Sequence, residues 1–202
     1  MIVLNTRFGR QNTVILLYCD ARGMDETKAI LPARSKQPGS ATAVSLLYVA
    51  VRRIGMSALP HIEKDNNGKP AFPDFPEVYF SLSHSRGHVL CALGSSPVGC
   101  DIECRRVLVK GTEEKLMSQS EKKDFDFFEL WTLRESFYKL TGRGSLRDIR
   151  FSVKNGFPKA PEEGVFCRSY REVEGVLAAV CSYEKEVPEK LEFVDANRIF
   201  SS

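Results

Sequence analysis

Asp101 and Glu103 stand two residues apart at the end of an apolar run, Ser96-Pro-Val-Gly-Cys-Asp-Ile-Glu103. In a strand that spacing turns both carboxylates to one face and Ile102 to the other. Like charges so placed repel unless a cation lies between them. Hard oxygen ligands, with no histidine or cysteine pattern to accompany them, favour Mg²⁺ over zinc. The plainer reading of an isolated Asp-x-Glu is a polar strand exit. A second stretch, Phe128-Glu-Leu-Trp-Thr-Leu-Arg-Glu-Ser-Phe-Tyr-Lys139, reads as a helix whose Leu130, Leu133, Phe137 and Leu140 form one apolar stripe. Glu135 and Lys139 fall one turn apart on a different face, beside Trp131. On a solvated helix such a pair contributes about 0.2–0.5 kcal/mol and nothing more. If the helix packs across the end of the strand, Glu135 becomes a third carboxylate at the metal.

The elements that must position these residues follow from pattern. Val14 to Tyr18 reads as a buried strand, and residues 21–38 as a polar, basic interval. Pro38-Gly39-Ser40 opens an almost wholly apolar helix that ends at Ile54-Gly55, where glycine suits the C-cap. Asp65-Asn-Asn-Gly-Lys-Pro70 is turn chemistry. Tyr79 to Ser85 is expected to begin as a strand and end in a hydroxyl-rich loop, and His88–Leu93 with Val98–Glu103 to form a hairpin about Gly94-Ser-Ser-Pro97. Arg105 to Lys123 is charged and poorly periodic. Gly142 and Gly144 end the central helix, and Arg150-Phe-Ser-Val153 begins a second set of strands. Gly175-Val-Leu-Ala-Ala-Val180 echoes His88-Val-Leu-Cys-Ala-Leu93, as an internal duplication or simply any buried strand would. After Leu191 a final strand is expected.

Val98-Gly99-x-Asp101-x-Glu103, followed by Trp131-Thr132-x-Arg134-Glu135-Ser136-Phe137-x-Lys139, resembles the paired signature of the 4'-phosphopantetheinyl transferases. Gly68-Lys69-Pro70 and Phe80-Ser-Leu-Ser-His-Ser85 are similar to two further motifs of the surfactin-type branch, in the same order. The resemblance implies an α+β fold of two similar α/β halves related by pseudo-two-fold symmetry, with the active site in the cleft between them. Here the halves would be residues 1–100, carrying the coenzyme A motifs, and 101–202, carrying the metal and catalytic helix, in one compact unit. It implies that the backbone at Gly68, Lys69 and Pro70 lies against the adenine of coenzyme A, that Ser83 and His84 contact its phosphates, and that the Lys69 side chain helps to hold them. A basic residue before the first helix, Lys36, would help to hold the 3'-phosphate. The implied reaction moves the 4'-phosphopantetheine arm of coenzyme A to a serine of an acyl, peptidyl or aryl carrier protein and releases adenosine 3',5'-bisphosphate. Asp101, Glu103 and Glu135 would hold Mg²⁺, or Mn²⁺ in its place. Glu135 would accept the serine proton, while Lys139 would bind coenzyme A and stabilise or protonate the leaving group. Two positions depart from the family pattern: Arg134 stands where lysine is commoner, and Cys100 replaces a branched aliphatic. The interval from Arg105 to Lys123, which in that branch helps to recognise the carrier, is shorter than usual.

Composition sets bounds on the alternatives. With 202 residues, 43% hydrophobic and 27% charged, the chain suits one globular unit. A net charge of +3 without interleaved aromatic and basic residues gives little reason to expect nucleic acid. Thr13 to Tyr18 is too short for a signal or membrane segment, so a cytoplasmic protein is expected, and the two halves in one chain that the resemblance implies make a monomer the default. Six scattered cysteines without a Cys-x-x-Cys should be reduced and buried, and a thiolate metal role for Cys100 or Cys104 has only His61, His84 and His88 to complete it. The competing functions are a non-catalytic coenzyme A or nucleotide-binding protein of the same fold, and a metal-dependent phosphohydrolase. The first would need a lost ligand or lysine, and the second has no use for the Gly-Lys-Pro and Ser-His motifs.

Overall fold

The computed structural model describes residues 14–31, 39–65 and 68–200. Two antiparallel hairpin systems dominate it. Strand β1 (Ile15–Asp20) is followed by helix α1 (Ser40–Arg53), a short hairpin of β2 (Glu63–Lys64) and β3 (Pro70–Ala71), and then β4 (Tyr79–Ser85) and β5 (His88–Gly94). Strand β6 (Val98–Cys104) is followed by short helices α2 (Thr112–Leu116) and α3 (Gln119–Asp124), the long α4 (Phe127–Thr141), and then β7 (Ser152–Lys154), β8 (Phe157–Lys159), β9 (Phe166–Tyr170), β10 (Val176–Ser182) and β11 (Glu192–Phe193). One sheet has the order β11-β1-β5-β4 and the other β6-β10-β9-β8-β7. In each, the first strand pairs antiparallel with a later strand (β5 or β10), which pairs in turn with the strand before it (β4 or β9), and the long helix lies between in sequence.

Strands β5 and β6 do not form the expected hairpin. Strand β5 is paired on both edges, to β1 and β4, so β6 crosses to the second sheet and pairs with β10. The tight turn lies one connection earlier, at Arg86-Gly87 between β4 and β5, and β4 stays extended through Ser85 instead of ending in a loop. Edge strands β4 and β6 then lie side by side, joined by serine hydroxyls. Cys100 N donates to Ser81 Oγ at 3.0 Å, Ile102 N to Ser83 Oγ at 3.3 Å and Cys104 N to Ser85 Oγ at 3.2 Å. The constant offset of 19 residues puts the two strands in parallel register. Alternation along β4 from Ser81 onward thus sends three serines, Ser81, Ser83 and Ser85, into the seam, where they satisfy backbone donors that would otherwise be orphaned.

The apolar side chains that face each other between the sheets include Leu16, Tyr18, Leu90, Ile102, Tyr170 and Val180. Helix α1 covers the outer face of the first sheet with Leu46, Leu47, Ala50 and Val51. Helix α4 covers the second with the anticipated stripe: Leu130, Leu133, Phe137 and Leu140 are all buried. Asp126 caps its N-terminus, accepting from Phe128 N and Glu129 N, and Gly142 takes the left-handed C-cap at φ 64°. Gly99 allows α4 to sit directly on β6. A Cβ at Gly99 would collide with the Ser136 carbonyl oxygen and lie 2.5 Å from Leu140 N. Ser136 also reaches the neighbouring strand of the same sheet, its Oγ donating to Ala179 O of β10 at 3.0 Å. The interval that looked poorly periodic holds α3 through a Ser118/Glu121 capping box, and Glu121 forms a fully buried ion pair with Arg134 at 2.8 Å.

The cysteines depart from expectation at one pair. Cys167 and Cys181 are directly opposed across β9 and β10 and join as a disulfide, whereas Cys19, Cys91, Cys100 and Cys104 are buried free thiols. No helix among the described residues is long and apolar enough to cross a membrane. Two substitutions test this packing by urea unfolding. Leu133→Ala, which empties a fully buried site, should cost about 2–5 kcal/mol, and Gly99→Ala should cost about 1–3 kcal/mol by forcing α4 away from β6.

Candidate functional site

The seam and the Gly99 contact together bring four charged side chains into one place. Asp101 is carried by β6 at the point where β4 and α4 both meet it, and it is 5% exposed. Its Oδ1 accepts from Ser83 Oγ at 2.6 Å and from Lys139 Nζ at 2.7 Å. Oδ2 of the same carboxylate is buried and accepts no hydrogen bond among the described residues. Two residues along the strand, Glu103 accepts from Ser85 Oγ and from Arg106 Nη1, both at 3.0 Å. Glu135 and Lys139 come from the face of α4 turned to this strand, and each is half-buried.

Burial, reinforced by the negative charges of Asp101 and Glu103, pushes the Glu135 carboxyl above its ordinary range, and Lys139 opposes that only in part. Burial also pulls the Lys139 ammonium down, but the adjoining Asp101 carboxylate, which accepts its hydrogen bond, and the nearby Glu135 more than offset this and hold Lys139 charged. The cluster therefore presents one firmly cationic group and two carboxyls of raised proton affinity, Asp101 and Glu135. Cys100, between Gly99 and Asp101, takes no part: burial pushes its thiol up to about 11, and it donates to Ser81 O at 3.2 Å.

Beside this cluster lies a cavity of about 320 Å³. Gly68, Lys69 and Pro70 line one side, the start of β4 a second, and the last turn of α4, including Tyr138, Lys139 and Thr141, a third. Lys139 thus belongs both to the acidic cluster and to the cavity wall. Lys69 reaches inward, its Nζ donating to Val98 O at 3.0 Å, and burial lowers its pKa. The turn that carries it is closed by Lys69 N donating to Asp65 Oδ1 at 2.9 Å.

His84 and Ser83 part company at the end of β4. Because neighbours on a strand face opposite ways, Ser83 turns to Asp101 while His84 turns to the start of α1. There it packs so closely on Gly39 that a Cβ at position 39 would be 2.8 Å from the imidazole. His84 lines a separate hollow with Arg22, Arg86, Glu26 and the N-terminus of α1, where Arg22 is paired with Asp20. Lys36 lies outside the described residues. Sequence reasoning missed the serine partners of both carboxylates, although the alternation Ser81-x-Ser83-x-Ser85 matches Asp101-x-Glu103 in period. It also missed Arg106, which reaches Glu103 from a segment with no regular pattern.

Among the described residues, no three of His, Cys, Asp and Glu are grouped as a ready metal cage. The donor chemistry nevertheless fits a hard divalent cation. Asp101 Oδ2 is a buried oxygen without a partner, and Glu103 and Glu135 are the carboxylates that act on it electrostatically.

Comparison with known proteins agrees with the motif resemblance. Residues 97–181 match the family model described as the 4'-phosphopantetheinyl transferase superfamily. The chain is 33% identical to the 4'-phosphopantetheinyl transferase Sfp of Bacillus subtilis strain 168, covering 63% of this chain and 65% of that protein. It is 32% identical to the transferase ffp of Bacillus subtilis over the same shares. With the transferase psf-1 of Bacillus pumilus the identity is 38%, over 54% of this chain and 51% of the relative. The chain therefore spans less than two thirds of the length of these relatives.

The raised pKa of Glu135 has a measurable consequence. A carboxyl whose pKa is higher folded than unfolded binds more protons in the native state, so it costs stability as pH rises from its unfolded to its folded pKa, and the cost persists above that. Glu135→Gln should be more stable than the parent in urea at neutral pH. The difference should vanish as pH falls below the ordinary carboxylate range.

Proposed function

We propose that this chain, whose residues 97–181 are similar to the 4'-phosphopantetheinyl transferase superfamily, moves the 4'-phosphopantetheine arm of coenzyme A to a serine hydroxyl of a carrier protein. The observation that carries the proposal is the convergence of Asp101, Glu103, Glu135 and Lys139, with Lys139 shared between this cluster and the wall of a cavity that Gly68-Lys69-Pro70 also lines. Four motifs distant in sequence have no structural need to meet there.

The reaction requires a neutral hydroxyl to attack a phosphorus already ringed by anionic oxygens. Glu135 is suited to take the serine proton on its carboxylate, because a raised pKa brings a carboxyl closer to working pH and strengthens it as a base. Lys139, held charged by Asp101, lies where its Nζ can offset negative charge on the departing adenosine 3',5'-bisphosphate. The backbone at Gly68 and the side chain of Lys69 would position the nucleotide end of coenzyme A in the cavity. His84, with Arg22 and Arg86 in the neighbouring hollow, would receive its phosphates, and Lys36 the 3'-phosphate. Ser83 is assigned to orienting Asp101 through its 2.6 Å hydrogen bond. Asp101, Glu103 and Glu135 would hold Mg²⁺ or Mn²⁺, which when bound neutralises charge on the pyrophosphate.

On the same reading the fold divides into halves of residues 1–100 and 101–202, related by a pseudo-two-fold. What supports this is the shared order of strand, long helix and hairpin, with β1-β5-β4 matching β6-β10-β9. Strand β6 straddles the boundary and starts the second half. The acceptor is an acyl, peptidyl or aryl carrier protein, and the enzyme works as a monomer in the cytoplasm.

The test is intact-mass spectrometry of a panel of apo carrier proteins incubated with the protein, coenzyme A and Mg²⁺. One phosphopantetheine mass should appear on at least one carrier, and Glu135→Ala should abolish it. Asp101→Ala should also abolish transfer while its far-ultraviolet circular dichroism stays native. A fully active Asp101→Ala protein would remove the metal assignment, and free phosphopantetheine without carrier modification would point to hydrolysis.

A further inference from the structure

The far edge of the second sheet carries a surface that the transfer reading does not use. Cross-strand partners share a face, and residues two apart along a strand return to it. Lys154 pairs with Phe157, Ser152 with Lys159, and Lys159 with Phe166. Lys154, Phe157, Lys159, Phe166 and Arg168 therefore stand on one face, the same face as Tyr170. At Tyr170 that face is buried against the first sheet. Beyond it the second sheet runs on through β8 and β7, where among the described residues no strand of the first sheet covers it and Phe157 and Phe166 are exposed. The Asn155-Gly156 turn, with φ of 54° and 80°, closes this projecting hairpin.

The uncovered portion is neither flat nor chemically neutral. It forms a hollow of about 400 Å³, completed by Lys185 from the segment after β10. Four cationic residues line it and no acidic residue does. None of the four is in an ion pair among the described residues. The Arg168 guanidinium lies 5.3 Å over the Phe157 ring, and its Nε is buried with no acceptor. Phe157 is 53% exposed and Phe166 38%, an apolar area between the cations. A donor without an acceptor, unmatched positive charge and exposed aromatic rings are all complemented by one kind of occupant.

We infer that the β7–β9 face is a docking surface for an acidic protein segment that carries an apolar side chain. The apolar group seats between Phe157 and Phe166, and flanking carboxylates meet Lys154, Lys159, Arg168 and Lys185. Arg168 is the specific element, since the planar guanidinium that stands over Phe157 can take a carboxylate through its terminal Nη groups, and the lysines supply attraction at longer range. This inference stands apart from the transfer reading, because none of these residues borders the Asp101 cluster.

The experiment is fluorescence anisotropy of the intact protein with a short fluorescein-labelled peptide of glutamates around one central phenylalanine. Binding should occur, weaken steeply with added salt, and be absent for the same peptide with glutamine in place of glutamate. Lys154→Glu/Lys159→Glu, at two exposed positions, should weaken it by about tenfold or more, and Arg168→Gln should do the same with an unchanged melting temperature. No difference between the glutamate and glutamine peptides would overturn the inference, as would undiminished binding by the double variant. Equal or tighter binding of single-stranded DNA or of anionic vesicles would also overturn it, in favour of a general polyanion surface.

Discussion

Helix α4 touches β6 backbone to backbone at Gly99, and the site depends on that contact. Side chains ordinarily hold a helix about 10 Å from the sheet it covers. With hydrogen in place of Cβ at Gly99, the last two turns of α4 settle onto the strand, and Ser136 anchors them to β10. Lys139 can then meet Asp101 at 2.7 Å although the two are 38 residues apart. The glycine two residues before Asp101 and the small Ser136 one residue after Glu135 are thus parts of one steric arrangement. Leucine at either place would separate the charges that the site combines.

The second constraint is how two sheets join at β4 and β6 without a backbone ladder. Serine side chains bridge the seam, and each hydroxyl accepts from a backbone amide on β6. Two of the same hydroxyls donate to Asp101 and Glu103. Architecture and chemistry therefore share atoms: the hydrogen bonds that close the molecule also fix the carboxylates. Fixing them has an electrostatic cost, since burial raises the proton affinity of both Asp101 and Glu135. Lys139 relieves it only in part, and one oxygen of Asp101 is left without a partner. Such partial compensation is how a site retains affinity for a further cation.

Arg134 lies beside these residues in sequence but serves a different purpose. It points to the opposite side of α4, where it pairs with Glu121 and donates to Leu116 O. Glu121 in turn caps α3 and accepts from Phe151 N. One buried ion pair thus ties α3, the segment before β7 and helix α4 together. Removing one partner of such a pair leaves an uncompensated charge, so the position is sensitive for stability.

Much of this was legible in the chain itself, for reasons of period and local chemistry. The stripe of α4, its glycine stop, the buried run of α1 and the same-face placement of Asp101 and Glu103 follow from spacings of 3.6 and 2, which any helix or strand must obey. The motifs pointed to the family for the same reason, because they record which residue types must recur at fixed offsets. Tertiary structure decided which strands are partners. Nothing local distinguishes β6 as neighbour of β5 from β6 as neighbour of β10, because both pairings bury the same apolar face; the choice rests on β5 having both edges filled. It also decided that Cys167 and Cys181 oppose each other, that Ser83 faces Asp101 while His84 faces Gly39, and that Arg168 is left without an acceptor beyond the edge of the first sheet. Those outcomes depend on register and on where one sheet stops covering another, and both are set by contacts between residues far apart in the chain.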